Sequence, residues 1–142
     1  MVWFIRVSSF SILLSVLLIF SACKKDDSSP AQPTQEMLIG RWEFVESSGG
    51  FAGKTYPADP TQKREIFFTA AGQAIGFLNG QTTGTASYVL FQADAITGTN
   101  KTFLPCSGIP GFAANGPIDT STTDFWLSDN HYDGFSSHYV RR

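Results

Sequence analysis

Basic residues, cysteine and histidine are all scarce in this chain. Ten Lys and Arg stand against twelve Asp and Glu, a formal net charge of −2 over 142 residues. Nucleic-acid binding wants a clustered basic surface, so that class is excluded. Two cysteines and two histidines leave little material for a metal centre, and no histidine pair stands at helical spacing. No phosphate loop or dinucleotide fingerprint occurs. Long apolar runs are missing too. Phe10 to Phe20 spans only eleven residues, where a membrane-spanning helix needs roughly 20. No segment sustains a helical period.

What is present at the N-terminus is an address. Arg6 is the only charged residue before Cys23, FSILLSVLLIF follows, and Ser21-Ala22 close the run. A positive start, a short apolar stretch and small residues before a cut form a secretory signal peptide, residues 1–22. Phe20-Ser21-Ala22-Cys23 resembles the bacterial lipobox. The resemblance implies that the Cys23 thiol takes diacylglycerol, that cleavage precedes it, and that the new amino group takes a further acyl chain such as palmitate. One acyl chain anchors only marginally, at about 0.8 kcal/mol per buried methylene, whereas several hold indefinitely. Lys24-Lys25-Asp26-Asp27 resembles a surface-export signal of some Gram-negative lipoproteins. The expected location is the outer membrane, lipid-anchored, on either the cell surface or the periplasmic face. With Cys23 lipidated, Cys106 has no partner, and the domain has no intrachain disulfide.

Residues 23–33 read as the lipidated cysteine and a flexible Ser/Pro/Gln-rich tether. Residues 34–142 read as one domain. Thr34 to Ile39 predicts a helical turn with Thr34 as N-cap. Everything after it reads as β: strands at Arg41–Ser47, Arg64–Thr69, Gln73–Leu78, Thr85–Gln92, Lys101–Leu104, Thr123–Ser128 and Gly134–Arg141. Asn79-Gly80 predicts a tight hairpin. Ser48–Pro60 and Pro105–Thr122 read as long loops. Seven or eight short sequential strands predict an all-β fold, a small antiparallel up-and-down β-barrel or a sandwich.

Gly40-Arg41-Trp42 at the opening of the first strand, with Tyr139-Val140-Arg141-Arg142 at the end of the last, resembles lipocalin-like domains of Gram-negative envelope lipoproteins. The resemblance implies a lipocalin-like barrel whose floor is closed by Trp42, with an arginine of the last strand's end, Arg141 or Arg142, stacked over it; Gly40, Trp42 and Arg141 form the fold signature. It also implies a habit of holding a small hydrophobic ligand in the mouth. Candidate ligand-binding residues are Phe51, Tyr88, Phe112 and Trp126. Phe51 and Phe112 lie in Gly-flanked loops suited to capping the core or covering a mouth. Phe67 and Phe68 are adjacent and point to opposite faces, so the outer one needs cover.

Little else speaks of chemistry. Asp129 to Gly134 loosely resembles a calcium loop, but His131 and Val140 replace the expected oxygen ligands, and a hairpin loop explains it better. Cys106 with His131 or His138 lacks a third orienting residue for nucleophilic catalysis. Glu43 and Glu46 are expected on opposite faces of a regular strand. The sequence reading is therefore a non-catalytic binding lipoprotein without metal or cofactor. Its partners are a membrane, through Cys23, and a small hydrophobic ligand or an envelope protein. The alternative is a structural or interaction lipoprotein with a filled core.

Overall fold

A computed structural model describes residues 32–142, without the side chains of Ala113 and Ala114. The signal peptide, Cys23 and most of the tether lie outside the described residues. Gln35–Leu38 form a single helical turn, α1. Thr34 occupies its N-cap position but makes no side-chain cap hydrogen bond. Ten strands follow: β1 (Gly40–Gly49), β2 (Lys54–Pro57), β3 (Arg64–Phe68), β4 (Gln73–Leu78), β5 (Gln81–Ser87), β6 (Phe91–Ala95), β7 (Gly98–Ile109), β8 (Phe112–Thr120), β9 (Asp124–Ser128) and β10 (Phe135–Arg141). Among the described residues, no helix is long and apolar enough to cross a membrane.

All pairings are antiparallel, in the order β5-β4-β3-β1-β10-β9-β8-β7-β6, with β2 beside the C-terminal half of β1. The connectivity is a meander whose first and last strands pair. The ladder is not closed, however. No pairing joins its edge strands β5 and β6 among the described residues. The sequence reading expects an up-and-down barrel or a sandwich; the structure has an all-β, antiparallel ten-stranded sheet that is not closed. Tyr88 explains the break. Its N–H goes to the Gly72 carbonyl at 2.9 Å, and its ring packs on Phe68 at 4.9 Å in the core. Chain committed to those contacts cannot continue the ladder, so the expected strand Thr85–Gln92 splits into β5 and β6.

Both long loops expected from the sequence contain strand. Ser48–Pro60 holds β2. Pro105–Thr122 is mostly β7 and β8, despite Pro105 and Pro117. Each proline lies where its strand is paired on one side only. The β6 ladder on β7 ends at Phe103, and the β9 ladder on β8 begins at Ile118. A missing N–H is harmless on an unpaired edge. Asn79-Gly80 does make the two-residue hairpin between β4 and β5, with φ of 51° and 79°, the conformation such a turn demands.

One face of the sheet is the core. Trp42 and Phe44 of β1, Ile66 and Phe68 of β3, Phe125 and Leu127 of β9 and Tyr139 of β10 alternate inward and are buried. Opposite the large residues of β3, β4 and β5 offer small ones: Ile66 pairs with Gly76 and Gly76 with Gly84, while Phe68 pairs with Ala74 and Ala74 with Ala86. Large-against-small pairing lets facing side chains interdigitate. It also leaves room into which the β7–β8 hairpin folds. A Cβ on Gly76 would sit 2.2 Å from Ile109 Cγ2, and one on Gly84 2.8 Å from the Gly108 carbonyl.

Candidate ligand site

The two ends of this inner face are built differently. At the α1 end the core is sealed. Trp42 is fully buried and donates its indole N–H to the Leu38 carbonyl at 2.7 Å. The Arg141 guanidinium lies 4.1 Å from the Trp42 ring centroid. It donates to the carbonyls of Ile39 (2.7 Å), Met37 (2.6 Å) and Thr122 (2.7 Å). A four-residue helix thus has its last carbonyls taken by a cation and an indole, which a helix C-terminus favours. Gly40 has its own reason here. Its φ is +133°, and a Cβ would meet Arg141 Nη1 at 2.6 Å. Glycine lets the guanidinium pass to its carbonyls.

At the opposite end the inner face holds a cavity of about 260 Å³, walled by Arg64, Ile66, Gly76, Ile109, Phe112 and Tyr139, with Gln62, Leu78 and Thr83 among the remaining lining residues. A second cavity of about 380 Å³ shares Arg64, Ile109, Gly111, Phe112 and Tyr139 and adds Phe44, Ser47 and Asp129. The lining mixes apolar residues with polar ones such as Gln62, Thr83, Ser47 and Ser137, and two polar groups, Arg64 and Tyr139, border both cavities. Arg64 is inward by the period-two alternation of Arg64, Ile66 and Phe68, and its guanidinium stacks over Phe44 at 3.9 Å. Tyr139 is 5% exposed. Burial pushes its phenol well above the usual range, and the nearby Arg64 charge opposes that shift.

The candidate residues scatter. Phe112 lines both cavities. Tyr88 is buried and borders a separate groove with Val89, Pro105 and Cys106. Phe51 is 96% exposed at the tip of the β1–β2 hairpin, away from both cavities. Trp126 lies on the outer face, stacked on His138 at 3.9 Å. His138 Nε2 is 2.9 Å from Asp124 Oδ1 and its Nδ1 3.7 Å from Glu46 Oε1. Hydrogen bonds from Thr123 and then His138 hold the Asp124 carboxyl below its usual range.

A bulge between Phe44 and Glu46 shifts the register of β1. It brings Glu43 and Glu46 onto the same outer face, contrary to the regular alternation expected. They still form no acid/base pair, because Glu43 is held by Lys63 and Arg142 at 3.3 and 2.8 Å. Phe67 is the outer member of its pair, and Arg41 covers both it and Phe77, at 6.0 and 4.3 Å from the ring centroids. In the Asp129–Gly134 loop, Asp129 accepts the Phe135 N–H and Asn130 the Ile96 N–H. Among the described residues no three metal-ligating side chains converge.

Arg64 and Tyr139 were not singled out from the sequence as site residues. The usable signal was a charge on the inward phase of a strand, at Arg64 ahead of Ile66 and Phe68. Nothing local marks Tyr139, which meets Arg64 only through the β10–β1–β3 pairing.

Cys106 is 2% exposed, and burial pushes its thiol up to about 11. Iodoacetamide is expected to leave it unlabelled in the native chain at pH 8 and to label it on unfolding. The unfolded thiol ionises near pH 9 and the folded one near 11. The thiol's contribution to stability is therefore fully present below pH 9 and is lost as pH rises toward 11, by up to about 2 kcal/mol. Urea midpoints at pH 8 and 10.5 check this: the decline should be smaller in Cys106→Ala.

Comparison with protein-family models, with curated proteins and with solved structures finds no match.

Proposed function

We propose that this chain is a non-catalytic binding module, anchored to the outer membrane through lipid on Cys23, which takes a small apolar ligand at the Arg64–Tyr139 end of a lipocalin-like barrel. The cavity carries the reading. Apolar walls with a few convergent polar groups are the usual form of a small-molecule site. Three features support the barrel: the β1–β10 pairing, the Trp42–Arg141 seal, and the seating of the β7–β8 hairpin against β4 and β5. In this reading β7, rather than β6, completes the wall beside β5.

N-phenyl-1-naphthylamine, a neutral apolar fluorophore, tests the cavity. Saturable one-to-one binding to the full chain is expected. Thr83→Trp, on edge strand β5 with Thr83 at the cavity wall, should plug the space and abolish it. Binding that survives the plug would move the site elsewhere. The anchor has its own test. Cys23→Ser should release the protein from membranes; continued pelleting with no change in mass would sink the lipobox assignment.

Exposed aromatics favour a second reading, an interaction lipoprotein. Phe51 and Tyr132 are 96% and 90% exposed, and Tyr56 and Phe135 are each at least 40% exposed, with their rings 6.1 Å apart. Failure of every apolar probe would favour that reading.

A further inference from the structure

We infer that the ligand of this cavity is a small apolar anion, a monocarboxylate of short to medium chain. Its head would be read by the Arg64 guanidinium and the Tyr139 hydroxyl, and its body covered by Ile66, Ile109 and Phe112. The inference rests on the binding reading above and adds the ligand's chemical class.

The first support is an unspent cation. On the outer face beside β1 and β3, Arg41, Lys63 and Arg142 form ion pairs with Glu43 and Glu65. Arg64 forms none. Among the described residues no carboxylate lies within 4.0 Å of it. The two acids that border the cavities are otherwise engaged. Glu65 is held by Arg41 at 3.5 Å and Lys63 at 3.1 Å. Asp129 accepts the Phe135 N–H at 3.0 Å. Arg64 meets an aromatic face instead, at 3.9 Å. A guanidinium is the most weakly hydrated cation among side chains, and its fork matches a carboxylate.

The second support is the hydroxyl. Tyr139 is buried, yet no protein group among the described residues takes or gives a hydrogen bond to its oxygen. Among the described residues no fully buried side-chain oxygen or nitrogen lacks a partner, so this hydroxyl keeps some exposure, and Tyr139 borders both cavities. A raised phenol stays protonated and is a donor at neutral pH. Two donors, from β3 and β10, therefore line the same two cavities.

Charge and size then narrow the class. One guanidinium and one hydroxyl balance a single negative charge; a phosphate dianion in an apolar cavity would be left with uncompensated charge. A cation would face Arg64. A water-sized group takes about 30 Å³, so 260 Å³ holds on the order of ten heavy atoms. That is below the usual range of drug-sized pockets, about 300 Å³ upward, and excludes a long-chain lipid from this cavity alone.

The test uses the full chain in phospholipid nanodiscs, with empty nanodiscs as the blank, titrated with octanoate, octanol and octylammonium. Octanoate should bind at least about tenfold more tightly than octanol, and octylammonium not measurably. Arg64→Met should weaken octanoate about tenfold or more and leave octanol within about twofold. Tyr139→Phe should weaken octanoate severalfold. Should Arg64→Met fail to fold, Tyr139→Phe and Arg64→Lys, which keeps the charge and loses the fork, serve in its place. Octanol binding as well as octanoate would overturn the anion assignment and leave the apolar site standing. So would an octanoate affinity indifferent to both positions. No binding by any of the three would overturn the binding reading itself.

Discussion

Replacing Arg141 with Ala lowers the melting temperature by about 12 °C. The residue makes three charge-assisted hydrogen bonds to the carbonyls of Met37, Ile39 and Thr122 and stacks on Trp42. A hydrogen bond to a charged group contributes about 1.5–3 kcal/mol and the stack about 0.5–2. These do not add in full, since water reaches the exposed side of the freed carbonyls. A net loss of about 3 kcal/mol is expected, and a domain near 110 residues shifts by roughly 4 °C per kcal/mol. Arg141→Lys should recover less than half, because an ammonium cannot reach three divergent carbonyls while lying flat on the indole. Thermal denaturation by circular dichroism reads both. A shift under about 3 °C for the alanine variant would mean that the core is sealed without this arginine.

Phe125→Ala is the more damaging core change, at about 4 kcal/mol or roughly 15 °C. Phe125 is fully buried. It touches Trp42 edge-on at 5.0 Å, Phe68 at 6.0 Å, and Tyr139 in a parallel stack at 4.5 Å. Truncating a buried Phe costs about 3–5 kcal/mol, and lost aromatic pairs push toward the upper end. Phe125→Leu should cost less than half as much, because it refills most of the volume. The two sites meet through Trp42, so the double variant Arg141→Ala/Phe125→Ala should be less unstable than the summed singles. Strict additivity would contradict the picture of one connected aromatic seal.

The parts of this fold legible in the sequence were those written locally. Alternation across Trp42 and Phe44, and across Ile66 and Phe68, marked strands with one buried face. Asn79-Gly80 marked a hairpin because few other pairs tolerate two positive φ angles. Pro105 and Pro117 misled for a physical reason: proline argues against a strand only where its N–H is needed, and edge pairing is a tertiary fact. The bulge in β1 was equally silent, since a one-residue slip changes no composition. The break at Tyr88 depends on Gly72 and Phe68, both distant in sequence.

The candidate site divides along the same line. Gly40, Trp42 and Arg141 were named through a resemblance, and the structure brings all three together at one end. The cavity is at the other end. Its two polar groups come from β3 and β10 and meet only because β1 pairs with both. Phe51 and Trp126 were chosen for their size and their neighbours in sequence. The hairpin leaves the first in solvent, and alternation turns the second outward onto His138.

Native mass spectrometry of the full chain, taken from its own host without denaturation, tests the binding claim most directly. The account predicts a bound small molecule, retained by the folded chain, lost on unfolding, and detected as an anion of on the order of ten heavy atoms. A folded chain that carries no such mass, and takes none up when octanoate is added, would contradict it and leave a filled β-sheet domain that works through its surface.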